Sequence, residues 1–146
     1  MNNSTLSSNA PVSSAHLLEL KELKTYFYVE RGTVKAVDGV NLTLDSGVKL
    51  GLVGESGSGK STIALSIMRM IRMPGTIMGQ ILLNGVDLVK ISEEQMRQTR
   101  MSQVAMIPQG AMNTLNPVAR IKDQMLDGLY DHGIKLNKQE DRKSVV

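Results

Sequence analysis

The sequence contains no cysteine among its 146 residues. This absence excludes disulfide scaffolds, cysteine-ligated zinc sites, iron–sulfur clusters and thiol catalysis. Histidine is nearly as scarce, because only His16 and His132 are present. We interpret both as solvated or packing residues, which is the usual role of an isolated histidine.

The sequence also lacks any long run of one charge. Seventeen Lys and Arg residues oppose 14 Asp and Glu residues, which gives a net charge of +3. A dedicated nucleic-acid-binding protein would show a sharper basic patch. We therefore expect no nucleic-acid partner.

No apolar run approaches the roughly 18 residues that a membrane-spanning helix needs. Residues 1–14 are rich in Ser and Asn and carry no Lys or Arg. They lack the apolar stretch of a signal peptide, so we predict a disordered tail. The hydrophobic fraction of 41% is close to the globular average and predicts a folded domain over the remainder.

Two apolar segments around a glycine turn predict a pair of antiparallel strands. Residues 17–29 and 33–44 have strand-like density, and Gly32 lies in the turn between them. A further strand is expected at residues 77–83, followed by the Asn84–Gly85 turn signal.

A short apolar run at residues 48–53 predicts a buried strand, whereas residues 54–59 suit neither a strand nor a helix. From Lys60, apolar residues recur at helical spacing. They are Ile63, Ala64, Ile67, Met68 and Ile71. The Met-Pro-Gly sequence at residues 73–75 is expected to stop this helix.

The second half of the chain alternates helical and extended patterns. Ser92 and Gln95 form a predicted capping box at the start of a helix. Residues 102–107 predict a strand, and residues 108–117 predict a polar loop. A final helix is expected at residues 121–130.

Residues 54–61 match the pattern G-x-x-x-x-G-K-[ST]. Their predicted position between a strand and a helix is where this pattern binds phosphate. The glycines permit backbone conformations that a Cβ would forbid, so that N–H groups can point at an anion beside the helix N-terminus. Lys60 would reach the β- and γ-phosphates, and Ser61 would place its hydroxyl on Mg²⁺.

The same loop pattern occurs in other classes of segment and protein. A flexible Gly/Ser linker is not favoured, because linkers do not lie between a buried strand and an amphipathic helix. A GTPase is not favoured, because residues 137–140 (Asn-Lys-Gln-Glu) end in Glu where guanine recognition requires Asp. Small-molecule kinases share the loop and stay open on this motif alone.

Four segments, in the same order, resemble the ATP-binding subunit of ABC transporters, most closely the dipeptide, oligopeptide and nickel import branch. They are residues 36–40 (AVDGV), 51–62 around the phosphate loop, 79–88 (GQILLNGVDL) and 107–117 (IPQGAMNTLNP). The resemblance covers about residues 17–138. It implies an α/β fold, a P-loop NTPase of the ABC ATPase type, incomplete, with an N-terminal antiparallel β subdomain.

The resemblance also implies the cofactors ATP and Mg²⁺ and a set of site residues. The nucleotide-binding residues it implies are Phe27, Gly54, Ser56, Gly57, Ser58, Gly59, Lys60, Ser61 and Thr62. It gives catalytic roles to Lys60 and Gln109, and contact with Mg²⁺ to Ser61 and Gln109. Phe27 best matches the aromatic residue that stacks on adenine, with Tyr26 and Tyr28 as open alternatives.

As implied by the resemblance, the domain organisation is a tail at residues 1–14 and part of an ATP-binding domain at residues 15–146, with a helical subdomain starting at about residue 117. The implied function couples ATP binding and hydrolysis to import of peptides or a related solute. The implied location is peripheral, at the cytoplasmic face of the cell membrane. The implied partners are the permease subunits, a second ATP-binding subunit and, indirectly, an extracytoplasmic solute-binding protein.

Three later motifs of the family are missing from these residues: the signature sequence, the acidic strand of the Walker B motif and the switch histidine. We therefore expect the N-terminal portion of a longer subunit, which binds ATP but hydrolyses little alone. The alternatives are a non-catalytic nucleotide-binding fragment or a module that pairs with a full-length relative. A P-loop kinase is a third hypothesis, for which no acceptor-binding motif is found.

Overall fold

The structure is a computed structural model that describes residues 16–110 and 115–134. The chain divides into two compact units, residues 1–104 and 105–146. The predicted tail at residues 1–14 and part of the predicted polar loop lie outside the described residues. The predicted start of a helical subdomain near residue 117 falls within the second unit and stays a prediction.

The first unit is built on a four-stranded antiparallel sheet. Its strands are β1 (Leu18–Val29), β2 (Gly32–Leu44), β3 (Gly75–Leu83) and β4 (Val86–Asp87), in the order β2-β1-β3-β4. Val29 pairs with Gly32 across a two-residue turn, which confirms the predicted first hairpin. Asn84 and Gly85 both have positive φ, at 49° and 81°, as the predicted tight turn between β3 and β4 requires.

Three helices complete the described structure: α1 (Lys60–Ile67), α2 (Glu93–Thr99) and, in the second unit, α3 (Ile121–Asp131). The capping box of α2 is confirmed. The backbone N–H of Gln95 donates to Ser92 Oγ at 3.2 Å, and that of Ser92 donates to Gln95 Oε1 at 2.9 Å. The final helix also forms where the pattern predicts it.

One face of the sheet carries the core of the first unit. Its buried residues are Leu20, Leu23, Val37, Ile81, Leu83, Leu88 and Met96. Ile63 and Ile67 of α1 pack against this cluster, and Met96 of α2 is part of it. The core therefore holds α1, the helix that follows the phosphate-loop motif, against the sheet.

The prediction of a buried strand at residues 48–53 is wrong. This segment forms neither a strand nor a helix, and Val53 is 97% exposed while Leu50 and Leu52 are about half exposed. A strand requires hydrogen bonds from a neighbouring strand. None of the strands in the described residues pairs with this segment, so its apolar side chains stay in solvent.

The prediction of a strand at residues 102–107 is also wrong. The described structure has one parallel bridge there, between Arg100 and Val104, and otherwise turns and irregular backbone. Ile107 is 88% exposed. As at residues 48–53, the apolar pattern alone does not supply a pairing partner.

Helix α1 ends earlier than the apolar spacing predicts. The expected helix continues through Ile71, whereas α1 stops at Ile67, with Met68 as its C-cap. The next residue, Arg69, has a left-handed backbone with φ of 49°. The chain therefore turns four residues before the Met-Pro-Gly sequence that was expected to end the helix.

Candidate phosphate-binding loop

The motif at residues 54–61 forms an exposed loop that runs into α1. Gly57 and Gly59 take left-handed conformations, with φ of 81° and 91°, which L-residues with side chains rarely adopt. The backbone N–H of Ser58 donates to the carbonyl of Glu55 at 3.3 Å, which closes a tight turn inside the loop. The glycines thus have the conformational role that the motif predicts.

The ammonium group of Lys60 is folded over this loop and is surrounded by oxygen atoms. Its Nζ donates to the carbonyl of Gly54 at 2.9 Å and to Ser58 Oγ at 3.1 Å. It also donates to the carbonyl of Glu55. The structure therefore brings the positive charge of Lys60 to the concave side of the loop, where the motif predicts phosphate oxygens.

The N-terminus of α1 differs from that of α2 in a way that favours an anion. Among the described residues, no side chain caps α1 at Gly59, and its first turn contains no acidic residue. In contrast, α2 is capped by Ser92 and begins with two glutamates. The first N–H groups of a helix lack intrahelical acceptors and carry partial positive charge. The loop residues present at α1 therefore fit a phosphate group.

Strand β2 passes directly against the loop at Gly59. A Cβ atom on Gly59 would lie 2.4 Å from the carbonyl oxygen of Ala36 and 3.6 Å from the Val37 side chain. Only glycine permits this approach. The close contact fixes the start of α1 relative to the antiparallel sheet.

A buried pair of hydroxyl groups joins α1 to the centre of the sheet. Thr25 Oγ1 and Ser66 Oγ are 2.8 Å apart, and both residues are fully buried. Ser66 Oγ also donates to the carbonyl of Thr62 at 2.7 Å, so Thr25 is the donor to Ser66. Sequence reasoning missed both residues, because nothing in the spacing of residues 25 and 66 indicates that they meet.

The remaining motif residues lie along the same loop and helix. Ser56 is exposed, Ser61 is exposed at the first turn of α1, and Thr62 is partly buried beneath it. Within the described ranges, no group of three or more His, Cys, Asp or Glu side chains could hold a metal ion. A magnesium ion here would therefore depend on the Ser61 hydroxyl and on the oxygens of a phosphate ligand.

The three aromatic candidates for base stacking have different surroundings. Phe27 is partly buried, and a Cβ on Gly75 would lie 2.8 Å from its Cε1. Phe27 also lines a shallow pocket with Leu65 of α1 and Met70. Tyr28 is 51% exposed.

Tyr26 contacts two charged residues of β2. Its hydroxyl donates to the Asp38 carboxylate, and Lys35 Nζ lies 5.3 Å from its ring centroid. The hydrogen bond to Asp38 raises the pKa of Tyr26, and the same bond lowers the pKa of Asp38. The sequence analysis did not identify this cluster.

Gln109 lies in the second unit and is exposed. Gly110, which follows it, has a φ of 72° and begins a turn. Residues 111–114 of the same predicted loop lie outside the described residues. The structure thus gives Gln109 an accessible amide, as a polar loop predicts.

The described residues include no helix that is both long enough and apolar enough to cross a membrane.

Comparison with known proteins identifies relatives over most of the chain. Residues 37–146 match the family model described as ABC transporter. The chain is 42% identical over 132 residues to the oligopeptide transport ATP-binding protein OppD of Bacillus subtilis, which covers 89% of the chain and 37% of that protein. It is 33% identical over 125 residues to the dipeptide transport ATP-binding protein DppD of Caldanaerobacter subterraneus, covering 85% and 38%.

The fold has matches among solved structures. The dimeric structure of MJ0796, a bacterial ABC transporter cassette, aligns with a TM-score of 0.73 at 20% identity, over 86% of this chain and 53% of that one. A second structure of the MJ0796 cassette, bound to ADP and Pi, aligns with a TM-score of 0.66. The chain spans little more than a third of the curated relatives and about half of the solved cassettes.

Proposed function

Because the chain belongs to the ABC transporter family, we propose that it is the phosphate-binding part of the ATP-binding subunit of a peptide importer. Its P-loop core and antiparallel sheet are those of an incomplete ABC ATPase. Relatives named for oligopeptide and dipeptide transport support peptides or a related solute as the cargo. In the complete subunit, ATP binding and hydrolysis drive import.

The observation that carries this proposal is the placement of the Lys60 ammonium against the loop that precedes α1, a helix whose N-terminus has no side-chain cap among the described residues. Its ammonium is bonded to oxygen atoms of the loop alone, among the contacts described, and these are acceptors that phosphate oxygens can replace. Gly54, Ser56, Gly57, Ser58 and Gly59 supply the loop backbone around the phosphates, and Thr62 adds a second hydroxyl beside Ser61. Lys60 then stabilises the negative charge of the β- and γ-phosphates.

Ser61 is the residue that would hold Mg²⁺ on this loop. For Gln109, contact with Mg²⁺ is the role that its glutamine-loop motif implies for the complete subunit. When bound, Mg²⁺ neutralises charge on the phosphate oxygens. Gln109 also orients water in the complete subunit, and its loop contacts the permease. The exposed position of Gln109 supports both roles.

Phe27 is the proposed stacking partner of adenine. Thr25 and Phe27 are two positions apart on β1, along a regular stretch of its pairing with β3, so that their side chains share one face. Thr25 contacts α1 on that face. Tyr26 points to the opposite face, where Asp38 and Lys35 engage it. These positions support Phe27 over Tyr26 and leave Tyr28 as the exposed alternative.

The proposed setting is a peripheral subunit at the cytoplasmic face of the membrane. It assembles with the permease subunits and with a second ATP-binding subunit, and it acts indirectly with an extracytoplasmic solute-binding protein. The dimeric cassette of MJ0796 supports the second ATP-binding subunit as a partner. No nucleic acid is proposed as a partner.

These 146 residues contain none of the signature, Walker B and switch-histidine motifs. We therefore propose that the chain by itself binds MgATP and hydrolyses little. Because the chain spans little more than a third of its relatives, a non-catalytic nucleotide-binding module that pairs with a full-length relative is the second candidate. Co-purification with a full-length subunit would distinguish that module from an unpaired fragment.

Calorimetric titration of the purified chain with MgATP tests the proposal. We expect saturable binding, and we expect Lys60→Ala to weaken it by about 10- to 100-fold, as the loss of charged hydrogen bonds predicts. Lys49→Ala is the matched control, because Lys49 is an exposed lysine of the segment that precedes the loop. Equal binding by both variants, or no binding by the unmodified chain, would contradict the proposal.

A further inference from the structure

The C-terminal end of α1 lies against three charged side chains, Arg69, Glu93 and Arg100, which we call the helix clamp. Arg69 follows α1 by two residues, Glu93 is the first residue of α2, and Arg100 is the C-cap of α2. All three belong to the first unit. None of them is part of the phosphate-loop motif.

Arg100 makes the contacts that join the two helices. Its Nε donates to the carbonyl of Met68 at 3.0 Å, and its second terminal nitrogen donates to the carbonyl of Arg69 at 3.3 Å. Its other terminal nitrogen donates to Glu93 Oε1 at 2.9 Å. One planar guanidinium group thus binds two carbonyls at the end of α1 and the carboxylate at the start of α2.

Arg69 completes the clamp from the other side. Its guanidinium donates to the carbonyls of Leu88 and Ile91 at 3.2 and 2.8 Å, and to Glu93 Oε2 at 3.2 Å. The left-handed backbone of Arg69 is unfavourable for an L-residue. The three hydrogen bonds of its guanidinium hold Arg69 in place at the end of α1 despite this backbone conformation.

The charges of the clamp match the ends of both helices. The C-terminus of α1 carries partial negative charge and meets the Arg100 guanidinium, whereas the N-terminus of α2 carries partial positive charge and begins with Glu93. Helix α1 has only eight residues, a length of about 12 Å. The phosphate loop therefore lies at one end of α1 and the helix clamp at the other, about two helical turns away.

We infer that Arg100 is a positioning residue for the phosphate-binding loop, which acts by fixing the C-terminal end of α1. This inference rests on the proposed function of that loop. A helix of two turns transmits a shift at one end to the other, and the N–H groups that receive phosphate are at the far end.

The test compares nucleotide affinity among arginine variants of the full chain. The probe is MgATP, measured by calorimetry well below the melting temperature of every variant. We expect Arg100→Ala to weaken binding by roughly tenfold, about the effect of one lost charged hydrogen bond. Arg100→Lys should restore little of the lost MgATP affinity, because an ammonium group cannot present the planar fork that joins both carbonyls to Glu93.

Arg97→Ala is the matched control. Arg97 lies three residues earlier on α2 and binds Glu94 of its own helix, at 2.9 and 2.8 Å. We expect this variant to bind MgATP within about twofold of the unmodified chain, since exposed ion pairs contribute little. Equal affinities for Arg97→Ala and Arg100→Ala would overturn the inference.

A second control separates positioning from general loss of stability. Ile81→Val removes one methylene group from the buried core without touching the clamp. If this variant weakens MgATP binding as much as Arg100→Ala at an equal drop in melting temperature, the clamp only stabilises the fold and the inference is wrong.

Hydrogen exchange distinguishes failure of the inference from failure of the proposed function. The amides of residues 54–67 should exchange faster in Arg100→Ala than in Arg97→Ala, with no nucleotide present. If the unmodified chain fails to bind MgATP, the proposed function fails, while faster exchange still supports the clamp as the anchor of the loop. Unchanged exchange at residues 54–67 would overturn the inference whatever the nucleotide result.

Discussion

The α-carbon of Gly59 lies so close to the carbonyl of Ala36 that a Cβ on Gly59 would stand 2.4 Å from that oxygen. Ala36 belongs to β2, an edge strand of the antiparallel sheet. The phosphate-binding loop is therefore supported by a strand that carries none of its motif residues. This contact links the fold of the first hairpin to the geometry of the loop.

We expect Gly59→Ala to lower the free energy of unfolding by about 2–4 kcal/mol. The left-handed conformation and the steric conflict with Ala36 each contribute roughly 1–2 kcal/mol. Gly57→Ala is the control, because Gly57 is also left-handed but a Cβ there would meet nothing within 4 Å. Urea denaturation should show a loss of only about 1–2 kcal/mol for Gly57→Ala. Equal losses would contradict the role of the Ala36 contact.

The hydroxyl pair between Thr25 and Ser66 should show energetic coupling. We expect a double-mutant cycle with Thr25→Val and Ser66→Ala to give a coupling energy of about 1 kcal/mol, because each single change leaves a buried hydroxyl with fewer partners. Urea denaturation of the four proteins measures it. Strict additivity would show that the 2.8 Å contact does not contribute to stability.

Glu94 should titrate well below an ordinary glutamate. Hydrogen bonds from Arg97 and then from Gln98 lower the pKa of Glu94 from 4.5 to about 2. Because the folded pKa is depressed, the contribution of ionised Glu94 to stability is present above pH 4.5 and is lost as the pH falls toward 2. Carbon NMR of the carboxyl group measures this pKa directly.

Arg97→Ala should raise the pKa of Glu94 toward its ordinary value, and Gln98→Ala should raise it by less. A Glu94 pKa that does not change in Arg97→Ala would contradict the assignment of the cause.

The exposed apolar segment at residues 48–53 should promote self-association of the isolated chain. Val53 is 97% exposed and follows the half-exposed Leu52, and exposed apolar segments of this kind favour aggregation. We expect Val53→Lys to reduce light scattering at high protein concentration. Met73→Lys is the control, because Met73 is 89% exposed outside this segment. An equal effect of both changes would point to net charge as the cause.

Much of the fold followed from local sequence patterns. The turn at Asn84–Gly85 and the capping box of Ser92 and Gln95 are formed by residues that contact one another within a few positions, so their chemistry is visible in the sequence. Residues 48–53 and 102–107 have equally clear patterns. They do not form strands, because strand formation depends on a partner that an apolar run cannot specify.

The conformation of the phosphate-loop motif followed from the sequence for the same reason, whereas the binding roles of its residues stay predictions. The glycines and Lys60 form a contiguous motif whose backbone requirements are local. The contacts that hold the loop in place join residues far apart in sequence, such as Thr25 with Ser66 and Arg69 with Glu93. No periodicity connects these positions, and Arg69 takes a left-handed conformation that its residue type does not indicate.

The bonds of Lys60 to its own loop have a consequence for selectivity. Two carbonyls and the hydroxyl of Ser58 already act as an internal competitor for the ammonium group. An incoming anion must accept stronger hydrogen bonds from Lys60 than these neutral oxygens do, and it must also accept hydrogen bonds from the N–H groups of α1. If water or a singly charged anion binds, Lys60 replaces one set of weak acceptors with another. A polyphosphate instead brings several charged oxygens at once. We therefore expect the loop to prefer polyphosphates to small singly charged anions, before any part of a nucleotide other than its phosphates is recognised.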